Sequence, residues 1–178
     1  MTRFIYCAMA FAMACSFTST VQAESISLYS SQNWYVDVVI DDESSDMICL
    51  LTSVNEAKEG ISFAATSSST MVMAIVLPGW EPVEEPFTDT IFLHFDDEQW
   101  ELSKTLFTTM NGNSAMSFKF PEDNDKKQEF LGDLLNKNNL SLMSGDQKRI
   151  MTQWSLRDVN RAIMEFRKCS ILIGHDDV

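Results

Sequence analysis

Glycine, histidine and positive charge are all scarce in this chain, and each shortage removes a class of chemistry. Six glycines stand singly among 178 residues, so there is no glycine-rich loop of the kind that cradles phosphate. Only His94 and His175 are present. Neither lies beside a plausible serine nucleophile, and no Gly-x-Ser-x-Gly elbow occurs. Three of the four prolines fall at positions 78, 82 and 86, which marks that stretch as a loop and leaves the other segments free to pair as strands. After residue 23 the longest apolar run is the seven residues from Met71 to Leu77, which suits a buried strand and is too short for a membrane-spanning helix.

What the chain does have begins with its leader. Arg3 precedes an apolar stretch over residues 4–17, and the small-residue end Val21-Gln22-Ala23 stands just before Glu24, the first acid. That order predicts a signal peptide cleaved after Ala23 and a periplasmic or secreted product. Cys15 follows Ala12-Met13-Ala14, so lipidation at Cys15 stays open as the alternative. Cleavage leaves two cysteines, Cys49 and Cys169. In an oxidising compartment a lone pair of this kind is expected to form a disulfide. No thiol nucleophile then remains.

Beyond residue 23 there are 12 Lys and Arg against 26 Asp and Glu, a net charge of −14. A nucleic acid or an anionic membrane would be repelled by that balance. A cationic protein, polyamine or metal would not, and solubility alone is a sufficient reason for the charge.

Period-two alternation carries most of the chain. Residues 24–31 read as a polar lead-in. Trp34, Val36, Val38 and Ile40 then mark a half-buried strand, followed by a strand over residues 47–52 with Cys49 and Leu51 on one face. Ile61, Phe63 and Ala65 mark a third, and residues 71–77, apolar on both faces, suit a central position. Strands resume over residues 91–95 and 100–107. Asn111-Gly112 predicts a hairpin into a strand carrying Met116, Phe118 and Phe120.

Helical spacing follows. Asn124 or Asp125 is placed to cap a helix with the stripe Phe130, Leu131, Leu134 and Leu135. Ser144-Gly145-Asp146 separates two short strands. Ser155-Leu156-Arg157-Asp158 has the form of a capping box ahead of a helix with the stripe Leu156, Val159, Ile163 and Phe166, beside Ala162. Cys169 leaves that helix on the same face. The whole predicts one α+β domain over residues 24–178, its core about 32–170. The expected architecture is a β-sandwich or bent antiparallel sheet of about nine strands with two C-terminal helices.

The closing segment Trp154-Ser155-Leu156 through Ala162, Phe166 and Cys169 resembles the phrase F-S-L-x-G-S-x-x-A-L-x-x-F-x-x-C. That phrase closes a group of small exported bacterial proteins similar to invasion-associated locus B. The layout, an early strand tryptophan, a cysteine one strand later and a terminal helix ending in cysteine, is also similar to the type VI secretion accessory proteins called VasI. The resemblance implies a periplasmic, β-rich interaction or envelope-associated domain, and it implies no enzymatic activity.

Few residues stand as candidates for chemistry. His94 precedes Asp96-Asp97-Glu98, yet it alternates to the face opposite Leu93 and Phe95 and suits an exposed or hydrogen-bonded strand histidine. The acidic groups 41–43 and 96–98 lack the spacing and glycine of a calcium loop. Met71 and Met73 share one face of an apolar strand and suit core packing over copper binding. In the proline-rich loop, Trp80 with Glu81, Glu84, Glu85 and Phe87 is the candidate partner contact. The alternative, Trp80 folded back over the sheet edge, is equally open.

No cofactor or metal is therefore expected, and no enzyme. The expectation is an exported binding or envelope-interaction protein whose partner is a protein or envelope component, cationic if charge selects it. An acidic inhibitor or immunity protein acting on a basic exported enzyme is the alternative. The sequence leaves the oligomeric state open.

Overall fold

A computed structural model of the chain describes residues 24–40, 46–67, 71–78, 91–102, 106–110, 113–119, 123–143 and 147–174. Nine strands come first: β1 (Glu24–Ser30), β2 (Trp34–Ile40), β3 (Met47–Val54), β4 (Gly60–Thr66), β5 (Met71–Leu77), β6 (Ile91–Phe95), β7 (Glu98–Leu102), β8 (Leu106–Met110) and β9 (Asn113–Lys119). Helix α1 (Asn124–Asn136), the hairpin β10 (Asn139–Met143) and β11 (Ile150–Ser155), and helix α2 (Val159–Leu172) complete the fold. The α+β, sheet-rich class and the two C-terminal helices are as the residue pattern predicts.

The strands form two antiparallel sheets, ordered β1-β2-β3-β4-β5-β9-β8 and β11-β10-β6-β7. Among the described residues there are eleven strands where about nine are expected, for two reasons. The lead-in is itself a strand, β1, paired along β2 with Ile26 opposite Val38. The expected strand over residues 100–107 is two strands, and they belong to different sheets. Central β5 lies between β4 and β9, which explains its apolar character on both faces. Met110 stands opposite Asn113, the register that the Asn-Gly signal predicts.

One core joins both sheets. Trp34, Val36, Cys49, Leu51, Ile61 and Phe63 of the large sheet share it with Leu93, Phe95, Leu140, Leu142 and Trp154 of the small one. Met71 and Met73 are buried there too, as packing residues. Phe130 of α1 closes the side of this core in edge-to-face contact with Phe95 and Trp100, with ring centroids 5.0 and 5.2 Å away. Val159, Ala162, Ile163, Phe166 and Cys169 bury the inner stripe of α2. On the opposite face of the large sheet, Val39, Ile48, Leu50 and Ala64 form a separate small cluster.

Helix details depart from the sequence reading in three places. Asp123, one residue before the expected caps, accepts the amide hydrogens of Asp125 and Lys126 at 2.9 and 3.1 Å. Leu135 is 39% exposed, so the buried stripe of α1 ends at Leu134. The capping box does not form: Ser155 ends β11, and its hydroxyl accepts only from the Arg157 amide, at 3.2 Å. Asp158 takes the N-cap position with φ 65° and no side-chain cap bond.

Candidate interaction surface

Cys49 and Cys169 are joined as a disulfide, their Cα atoms 6.0 Å apart. Both are buried, because alternation points Cys49 into the core and helical spacing places Cys169 on the inner stripe of α2. The bond pins α2 across the start of β3. Trp34 ties the end of β11, ahead of the helix, where its indole N–H donates to the Ser155 carbonyl at 3.1 Å. α2 therefore crosses β2 and β3 with β1 at its flank, and the Arg161 guanidinium sits 5.5 Å over the Tyr29 ring of β1.

Around this helix lie most of the large exposed apolar side chains of the described residues. Eight large apolar side chains are exposed among the described residues, and six of them belong to β1, the start of β3 and α2. These are Ile26, Leu28, Met47, Met164, Ile171 and Leu172, with Leu172 the most exposed at 81%. Val38, opposite Ile26, packs on the main core, and Met47 shares the inward face with Cys49. Ile26 and Met47 thus rim the same side of the sheet that α2 covers, with Leu28 at the bulge between Ser27 and Tyr29. Scattered single apolar residues on a surface need no explanation, but a group on elements that pack together does.

Charge is segregated in the C-terminal segment that ends in this helix. Residues 147–174 contain Lys148, Arg149, Arg157, Arg161, Arg167 and Lys168 against Asp158 and Glu165 only. They hold half of the cations that follow residue 23. The excess of acid lies elsewhere in the chain. Composition alone hides this, and only the run of cations near the C-terminus signals it.

The remaining candidate residues divide clearly. Trp80, Glu81, Glu84, Glu85 and Phe87 lie outside the described residues, as do residues 41–45 and His175. Asp96 and Asp97 turn the chain from β6 to β7 and serve as structural ties. The Asp96 carboxylate accepts the Asn138 amide at 2.7 Å and the Asn139 side-chain amide at 3.2 Å. These bonds, led by the backbone one, hold its pKa below the usual carboxylate value. Asp97 pairs with Lys137, which lowers the carboxyl pKa and raises that of the ammonium.

His94 is half-buried rather than exposed or hydrogen-bonded. It stands opposite Ser141 and Gln99, and its Nε2 is buried with no hydrogen-bond partner among the described residues. Among those residues, no group of three or more His, Cys, Asp or Glu is placed to hold a metal ion. No helix there is long and apolar enough to cross a membrane.

No family model, curated protein or solved structure matches this chain.

Proposed function

We propose that this chain is an exported interaction protein that carries out no catalytic step. It meets its partner across the surface built by β1, the start of β3 and the outer face of α2. The gathering of six of the eight exposed large apolar side chains on those elements carries this reading. The disulfide fits an oxidising compartment, the setting that the leader and the resemblance of the closing segment both imply. The sheets back the surface, the disulfide fixes the C-terminal part of α2, and the Trp34 bond ties the end of β11 that leads into the helix.

Site-specific photocrosslinking tests the proposal. A crosslinking residue at position 164 is compared with one at 135, which is exposed on α1, in the envelope fraction of producing cells. One discrete adduct from position 164, with none from 135, is the expected result. Equal adducts from both, or none from 164, would remove this surface from the interaction. If the adduct contains a basic hydrolase and forms at low but not at high salt, the inhibitor reading replaces the envelope reading.

A further inference from the structure

We propose that the open edge of β1 accepts an extended peptide segment as an added strand, with an acidic side chain of that segment set against Arg161 of α2. The proposal rests on the β1 and α2 side being the partner surface, and it names what binds there.

The edges of the two sheets differ in how they are guarded. Unpaired strand edges invite pairing, and proteins blunt them with charge, proline or cover. β7 is blunted by Glu98 and Glu101, both exposed. β11 is covered: its Gln153 and Ser155 carbonyls accept from the side chains of Asn55 and Trp34, at 3.2 and 3.1 Å. The side chains of β8 lie outside the described residues. β1 is the end strand of the large sheet, and from Ser25 to Ser30 it has no charge and no proline. No side chain bonds to its backbone among the described residues. Its single guard is a bulge between Ser27 and Tyr29, which leaves Ser25, Ile26 and Ser27 in regular register. Ile26 is 49% exposed beside that edge.

A helix flanks the same edge. Arg161 reaches over Tyr29, and Glu165 follows it one turn on. Glu165 pairs with Lys168 at 2.8 Å, which leaves Arg161 as the stronger pole. A strand edge beside a helix is a recurring way to bind an extended segment. Main-chain bonds supply affinity, and alternate side chains, all on one face, meet the helix and supply selectivity. Here that face offers apolar contact at Ile26 and positive charge at Arg161. A segment alternating apolar residues with Asp or Glu, or ending in a carboxylate, complements it. The net charge of the chain is screened beyond about 8–10 Å at physiological salt, so the local cation decides the contact.

The test uses a display library of random short peptides selected against the protein beginning at Glu24. Recovered peptides should alternate apolar and acidic residues. A recovered peptide should shift the amide resonances of Ser25 to Ser30 more than any others. Ile26→Lys places a guarding charge on the edge and should weaken that peptide roughly tenfold or more, as should Leu28→Lys. Arg161→Glu should reverse the preference toward basic peptides. Melting curves of each variant confirm folding, and the two edge variants back each other. Recovery of no peptide, equal affinity in both edge variants, or shifts centred on β7 or α1 would overturn strand addition. Concentration-dependent dimers with β1 amides protected in the absence of peptide would also overturn it, in favour of a second copy. Crosslinks from position 164 that persist in the Ile26→Lys protein would retain the surface while removing strand addition, so the two proposals fail separately.

Discussion

Trp34 and Trp154 hold the two sheets together by reciprocal bonds. Trp34 on β2 donates its indole N–H to the Ser155 carbonyl at 3.1 Å, and Trp154 on β11 donates to the Glu59 carbonyl at 2.9 Å. Both rings are essentially buried. Each sheet thus satisfies a buried donor of the other, and Asn55 adds a side-chain bond to Thr152 at 2.8 Å. Rigidity beneath the α2 surface follows from these cross-sheet ties.

Trp34→Phe retains an aromatic ring and removes the bond. It leaves the Ser155 carbonyl without that partner, and the smaller ring leaves space. Stability should fall by about 1–3 kcal/mol. Trp154→Phe should act similarly. The check is urea denaturation, with the slope against denaturant unchanged and the midpoint lowered. A loss below the measurement error in both variants would mean that the indole bonds contribute nothing across the sheets.

The disulfide spans 120 residues of sequence. Reduction, or Cys49→Ala with Cys169→Ala, releases a loop whose closure contributes up to about 4–5 kcal/mol in the chain-entropy model. Because Cys169 ends the inner stripe of α2, hydrogen exchange in α2 should rise before exchange in β4 and β5. Uniform acceleration across the sheets would contradict a role centred on the terminal helix.

Asp37 and Asp96 should shape the acid side of the stability curve in opposite directions. Burial beside Leu50 raises the Asp37 pKa above the ordinary value, partly offset by a bond from the Ser27 hydroxyl. The folded state therefore holds that proton more tightly than the unfolded chain, and stability falls as pH rises through the window between the two values. Asp37→Asn should abolish this fall and raise the melting temperature at neutral pH. Asp96, lowered by its bonds to Asn138 and Asn139, contributes stability that is present above the ordinary carboxylate value and lost as pH falls toward its folded value. Asp96→Asn preserves tolerance for φ 51°. It should lower stability slightly at neutral pH, because the site is solvent-screened, and the difference should vanish once the carboxyl is protonated. Melting curves from neutral to acid pH distinguish the two signs.

Elements with a strong period and a buried face were legible: β2 to β6, β9, the β10–β11 hairpin and the inner stripe of α2 follow from alternation or helical spacing. β1 escaped because Ser25, Ser27 and two half-exposed apolar residues give weak contrast between faces, as expected of an edge strand. The division between β7 and β8 escaped because local alternation is the same whichever sheet a strand joins. Asp123 took the cap of α1 ahead of Asn124 and Asp125, since three adjacent residues can each accept such bonds and geometry decides among them. The α2 surface was hidden for another reason. Its cations are diluted in a chain of net charge −13, and the exposed residues of β1 and α2 are far apart in sequence.

Asp158 is the site of a backbone test. It precedes α2 with φ 65° and ψ 8° and has no cap bond from its side chain, so it carries the cost of a left-handed conformation without a local return. Glycine adopts positive φ freely, whereas other residues lose about 1–2 kcal/mol there, with Asp and Asn penalised least. Asp158→Gly should therefore be neutral or stabilising by up to about 1 kcal/mol, while Asp158→Val, branched at Cβ, should cost at least about 1–2 kcal/mol. Denaturant midpoints compare the two directly. Loss of stability in the glycine variant equal to that of the valine variant would show that the Asp158 side chain, and not its backbone, sets the entry into α2.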